Sequence, residues 1–182
     1  MLLVKSVPAG LTLVQALDRV AHVKTRYGGR FVQSIDGVEG SLAHERDWFW
    51  FVNGIEGDRS AAQYRLRPGD VGWWDYRRWP PLSQPVVVGA FPEPFVHGFD
   101  GKVRAAVVVG HGAAARALAR IVHGRVGRAL DGANVLQIVD GEAPFHGERR
   151  ADGSVRFVID GRDAARLAQT PRLARFRFEG LP

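Results

Sequence analysis

The chain has 182 residues, 46% of them hydrophobic, enough for one large domain or two small ones with real cores. It has no cysteine, which excludes structural disulfides, thiolate metal sites and cysteine nucleophiles. Net charge is +6, but all of the 25 basic residues except Lys5, Lys24 and Lys102 are arginine, and the charge is spread along both halves, so no nucleic-acid partner is expected.

Leu2–Val7 reads as a strand and Pro8-Ala9-Gly10 as a turn. Thr12 with Gln15 three residues on forms a capping-box pattern. Leu13, Leu17 and Val20 then share one helical face with Ala16 and Val23 beside them, which predicts a helix running to Gly28-Gly29. Arg30–Ile35 follows as a strand, with Asp36-Gly37 as a turn. Asp47–Asn53 is an aromatic strand closed by the tight-turn dipeptide Asn53-Gly54. Asp58–Leu66 holds a helical turn, and Arg67-Pro68-Gly69-Asp70 has proline and glycine at the central turn positions. Val71–Trp79 is the last strand of this half, and Pro80-Pro81 opens a linker.

In the second half, Val86–Gly89 reads as a short strand. Asp100-Gly101 is expected to join Phe95–Phe99 to Lys102–Val109 as a hairpin. Ala113–Val122 is a helix with Ala114, Leu118, Ile121 and Val122 inward. Val135–Val139 is a strand, Asp152-Gly153 a hairpin turn before Val155–Ile159, Arg162–Leu167 a short helix and Ala174–Phe178 a final strand. The expected fold class is α+β: a β-grasp-like domain over 1–82, then a second small α/β domain over 83–182. No apolar run reaches the roughly 18 residues of a membrane helix. The N-terminal stretch lacks a signal-peptide pattern.

All five tryptophans, Trp48, Trp50, Trp73, Trp74 and Trp79, fall in the first half with Phe49, Phe51 and Tyr76 among them. Strand parity puts Trp48, Trp50 and Val52 on one face and Phe49 and Phe51 on the other. On the last strand Val71, Trp73, Asp75, Arg77 and Trp79 share a face, opposite Trp74, Tyr76 and Arg78. One helix covers one face of a small sheet. Each large aromatic presents about 150–250 Å², so three on the other face require a cover: the second domain, a partner protein or a flat apolar ligand.

The stretches GLTLVQAL (10–17), FVQSIDGVEG (31–40), DWFWFVNG (47–54) and YRLRPGDVGWWDY (64–76) together resemble the transcobalamin-like C-terminal domain family, small β-grasp-related domains largely of unknown function. The resemblance covers residues 10–79; the C-terminal half resembles no family. It implies a non-catalytic module that binds cobalamin or another corrinoid in an uptake system. The implied partners are an α/α-barrel protein or a transporter, and the implied location is extracytoplasmic. The resemblance carries the ligand-side strand onto Trp48 and Trp50, and the closing strand onto Trp73, Trp74 and Tyr76. Trp79 joins these as a ligand-binding candidate. The alternative is an extracytoplasmic protein–protein interaction module using the same aromatics.

A third reading rests on Gly110-His111-Gly112-Ala113-Ala114-Ala115, a G-x-G-x-x-A turn between a strand and a helix, where backbone N–H groups face an anion. Against it, Asp140 lies later than the usual ribose-binding carboxylate. The histidines His22, His44, His97, His111, His123 and His146 form no metal-ligand spacing, although His97, His111 and His146 all fall in loops. No serine stands in a nucleophile elbow, so no enzymatic activity, catalytic residue or metal is expected.

Overall fold

A computed structural model describes residues 6–79, 87–171 and 174–178. The fold is α+β, rich in strands, and its residues divide into two compact units: Met1–Phe51 with Glu56–Ser83, and Val52–Ile55 with Gln84–Pro182. Most of the expected strand Leu2–Val7 and the proline linker lie outside the described residues.

The first unit opens on helix α1 (Leu13–Asp18). Its capping box is complete: Gln15 N donates to Thr12 Oγ1 and Thr12 N donates to Gln15 Oε1. Leu13, Ala16 and Leu17 are its buried face. The helix is much shorter than its apolar spacing predicts. Val23–Arg26 leaves it as strand β1, paired antiparallel with β2 (Phe31–Ile35), which in turn pairs with β3 (Val38–Glu39). Valine and threonine favour a pleated surface, and Val23 finds Ile35 across the pair. His22 N donates to Asp36 Oδ1, which fixes the chain reversal.

Strand β4 (Arg46–Val52) turns through Asn53-Gly54, both with positive φ, into β5 (Gly54–Glu56). Such a pair is the expected type I′ hairpin connection. Strand β6 (Gly72–Arg78) lies on the other side of β4. Leu17, Val32 and Ile35 form a small core, with Trp48 and Trp74 packed on it.

The second unit takes in the hairpin tip Val52–Ile55, where Gly54 and Ile55 pair with Val88 and Val87 of β7 (Val87–Ala90). Strand β13 (Arg175–Phe178) pairs with the other edge of β7. A separate sheet runs β11-β12-β10-β8-β9, comprising β8 (Ala106–Val109), β9 (Arg125–Val126), β10 (Asn134–Val139), β11 (His146–Arg149) and β12 (Val155–Asp160). All neighbours there are parallel except the β11–β12 hairpin. Helices α2 (Gly112–Ile121) and α3 (Gly161–Gln169) follow β8 and β12. Val108, Leu136 and Phe157 stand side by side in register. They meet Leu118 of α2, Leu167 of α3 and Phe176 of β13 in one core.

The hairpin expected over 95–109 is only partly formed. Asp100-Gly101 does turn, with a single bridge from Phe99 to Lys102, but no strand precedes it. Residues 91–98 are turns and bends in which Phe91 and Phe95 are buried, and the peptide bonds before Pro92 and Pro94 are cis. Strand β8 takes β10 as its partner instead. On α2 the fully buried positions are Ala115, Leu118 and Ala119, with Val122 just beyond, while Ala114 and Ile121 are partly buried.

Candidate functional site

The aromatic strands β4 and β6 carry the candidate site, and their side chains divide into those the fold holds and those it leaves with unmet hydrogen-bonding capacity. Trp50 belongs to the first group. It is 8% exposed, its Nε1 donates to Arg59 O at 3.1 Å, and its ring sits 5.4 Å from Tyr64. A Cβ at Gly57 would lie 2.0 Å from Trp50 Cε2, so only glycine lets the chain cross the indole there. The ring faces the unit's own interior.

Trp48 and Tyr76 are held on the face that meets α1 and the small sheet. Trp48 Nε1 donates to Val38 O at 2.8 Å and Tyr76 Oη donates to Glu39 O at 2.9 Å. The two rings are 5.2 Å apart. The consecutive carbonyls of Val38 and Glu39 in the short strand β3 thus accept from two aromatic donors, one on β4 and one on β6.

Trp74 packs on Leu17, Val32 and Ile35, yet its Nε1 is buried with no hydrogen-bond partner among the described residues. Trp73, half-buried, has the same deficit at Nε1. Arg77, on the same face of β6 as Trp73 by parity, lies with its guanidinium carbon 4.1 Å from the Phe49 ring centroid. Its Nη2 donates to Glu56 Oε1 at 2.8 Å, while its Nε is buried with no partner among the described residues. Trp79 is half-buried, and its backbone N donates to Glu45 O. Buried donors are normally satisfied, and each one left open costs about 1–3 kcal/mol. Two such donors, Trp73 Nε1 and Arg77 Nε, lie on one face of the seven-residue strand β6, where the described residues offer them no acceptor; Trp74 Nε1 lies on the opposite face, against the small core.

Beside β6, Asp47 opens β4 with its carboxyl held above the usual range, because burial outweighs the hydrogen bond from Trp48 N. Asp70 is a turn residue: its Oδ2 accepts from Arg67 N at 2.9 Å and from Tyr64 Oη at 3.3 Å.

In the second unit, Gly110-His111-Gly112 stands at the end of β8. Both glycines have conformational reasons: Gly110 is pressed against Ile138, and Gly112 has φ +82°. His111 is the N-cap of α2 and makes no side-chain capping bond. Helices α2 and α3 join the same core, on the face of the sheet that carries Val108, Leu136 and Phe157; a dinucleotide crevice has helices on both faces. An open cleft of about 800 Å³ lies at the ends of β10 and β12, lined by Gly141, Glu142, Asp160, Arg162 and Arg166 among others. Two of its carboxylates, Asp160 and Asp163, are engaged. Asp160 caps α3 through Asp163 N at 2.8 Å, and Asp163 pairs with Arg166 at 3.3 Å.

The loop histidines do not converge into a metal site among the described residues. His146 Nδ1 contacts Pro144 O. His97 is tied to Glu93, a buried carboxylate that accepts from the His97 backbone N at 3.0 Å and contacts its Nδ1. Buried Asn53, whose Nδ2 donates to Gly98 O, is also part of this turn system. Neither residue stood out in the sequence, where Asn53 reads only as turn chemistry.

No curated protein and no solved structure matches the chain. Residues 10–78, well under half of the chain, match a family model described as Domain of unknown function (DUF4430).

Proposed function

We propose that residues 10–79 form a non-catalytic ligand-binding module whose ligand is cobalamin or another corrinoid, acting in an uptake system. The observation that carries this reading is the pair of buried donors on one face of β6, Trp73 Nε1 and Arg77 Nε, that have no partner among the described residues. A corrinoid offers a flat, largely apolar ring for aromatic faces and a rim of amide carbonyls to accept from such donors. The resemblance of residues 10–79 to transcobalamin-like C-terminal domains supports the same ligand class. In this reading Trp73 and Trp79, on one face of β6, serve the ligand, Trp50 and Trp74 support them from the core, and Trp48 and Tyr76 hold the two strands in place.

Titration of the whole protein with cobalamin and with cobinamide tests it, followed by tryptophan quenching and calorimetry. Saturable binding that weakens in Trp73→Phe with no loss of stability in the free protein, and weakens in Trp50→Phe only together with stability, supports it. No saturable signal up to about 100 μM, a free energy weaker than about −5.5 kcal/mol, refutes it.

The same donors favour one other reading, an extracytoplasmic protein–protein interaction module. There, backbone carbonyls of a partner such as an α/α-barrel protein or a transporter take the place of the amides. Silent corrinoid titrations, with partner binding lost in Trp73→Phe, decide for it.

A further inference from the structure

The tip of the β1–β2 hairpin presents a second, exposed pair of aromatics. Strands β1 and β2 are joined by Tyr27-Gly28-Gly29-Arg30, with Arg26 opposite Phe31 in the register. Tyr27 is 78% exposed and Phe31 39% exposed, their rings 6.4 Å apart and edge-on. Tyr27, Gly28 and Gly29 all have positive φ, and Tyr27 sits at φ +53°. That conformation suits glycine or asparagine and is costly for a bulky side chain. Folding alone gives no reason to place an exposed tyrosine there.

The chain that forms the hairpin carries one sign of charge. From Arg19 to Ile35 there is no acidic residue, while Arg19, Lys24, Arg26 and Arg30 are cationic. Lys24 reaches Glu39 at 3.5 Å. Arg26 donates to the neutral Gln33, and Arg19, Arg26 and Arg30 have no carboxylate partner among the described residues.

We propose that this hairpin tip docks on a membrane surface bearing anionic lipid headgroups. Tyr27 and Phe31 enter the boundary between headgroups and acyl chains, and Arg26 and Arg30 stay at headgroup level. Amphipathic aromatic rings favour that boundary, and cations beside them add electrostatic attraction to anionic lipid. Single-stranded nucleic acid would be stacked along a groove by open ring faces. Here the rings meet edge-on at the end of a hairpin, an arrangement suited to insertion.

The absence of cysteine makes the test clean. The whole protein is sedimented with phosphatidylcholine vesicles with and without phosphatidylglycerol, and a polarity-sensitive dye is attached through Tyr27→Cys. Expected are sedimentation only with the anionic vesicles, weakening at high salt, and a blue shift of the dye. Removing Tyr27 and Phe31 together (both to Ala) should lower partitioning about tenfold. Each of Arg26→Gln and Arg30→Gln should lower it about fivefold. Leu130→Ala, at an exposed apolar position of the second unit, should change nothing. Because Tyr27 is so exposed, its variants should unfold at the parent temperature, which separates lost docking from lost folding.

Three results would overturn the proposal. One is no sedimentation with anionic vesicles at low salt. Another is sedimentation that survives loss of both aromatics, which would mean diffuse charge alone. The third is binding of a single-stranded oligonucleotide, lost in the same variants, without vesicle binding.

Discussion

Gly57→Ala places two opposing effects in direct competition. At an ordinary φ, replacing glycine by alanine restricts the unfolded chain and stabilises a protein by about 0.4–1 kcal/mol. Gly57 has no positive φ that would forbid alanine. Its obstacle is contact: the added Cβ would meet Trp50 Cε2 and Cζ2, both at 2.0 Å. The indole has little room to retreat, since its Nε1 is bonded to Arg59 O and its ring packs on Tyr64. Overpacking of this kind costs about 1–3 kcal/mol, and a displaced indole adds about 1 kcal/mol for the hydrogen bond. The steric term wins by about 1–3 kcal/mol, and the midpoint of urea unfolding, followed by tryptophan fluorescence, should fall accordingly. Trp50→Phe removes the clashing ring, so the double variant should lose less than the sum of the singles. A Gly57→Ala protein as stable as the parent or more so would refute the placement of Trp50 in the core, and with it the division of the tryptophans.

Trp73→Phe removes an unpaired buried donor and should raise the stability of the free protein by about 1 kcal/mol, measured by the same unfolding curves. Glu93→Leu removes the acceptor for the His97 backbone N–H and should cost about 1.5–3 kcal/mol in thermal unfolding. Trp48→Phe and Tyr76→Phe each free a β3 carbonyl, and both should speed hydrogen exchange in the strands that β3 holds. Asp160 and Asp152 have carboxyls held below the usual range, first by the Asp163 backbone N–H and by the Ser154 hydroxyl respectively. A depressed folded pKa gives stability that is full above the unfolded value, near about 4, and is lost as pH falls through the folded value. Acid unfolding of Asp160→Asn should therefore be less steep than that of the parent below about pH 4.

Local chemistry was legible wherever a side chain and its partner are close in sequence. Thr12 with Gln15, Asp36-Gly37, Asn53-Gly54 and Pro68-Gly69 all do in the structure what their spacing implies. Strand parity also sorted the aromatics in a way the contacts repeat, with Trp48 beside Tyr76 and Arg77 over Phe49. Failures came where a distant partner decided. Val20 and Val23 continue the helical spacing of Leu13 and Leu17, but Val23 is claimed by Ile35 across a sheet. The apolar run Ala106–Val109 could not reveal that β8 pairs in parallel with a strand beginning at Asn134, nor the residues around it that Pro92 and Pro94 keep 91–98 out of a strand. The site was legible as a set of residue types, and its inner division was not. That division depends on the carbonyls of Val38, Glu39 and Arg59, which no pattern in β4 or β6 announces.

The unpaired donors of β6 are the point where stability and binding should pull apart. A ring that serves only as core gains from every satisfied contact, as Trp50 does, and its loss lowers stability and binding together. Trp73 has the opposite profile: its indole N–H is a liability to the free protein and an asset only when an acceptor arrives. Phenylalanine there keeps most of the apolar contact and removes the donor, so it should make the free protein more stable and the complex weaker. A variant that shifts the two quantities in opposite directions cannot be explained by damage to the fold. Opposite shifts at Trp73 and parallel shifts at Trp50 would separate the part of the aromatic cluster that receives a ligand from the part that supports it.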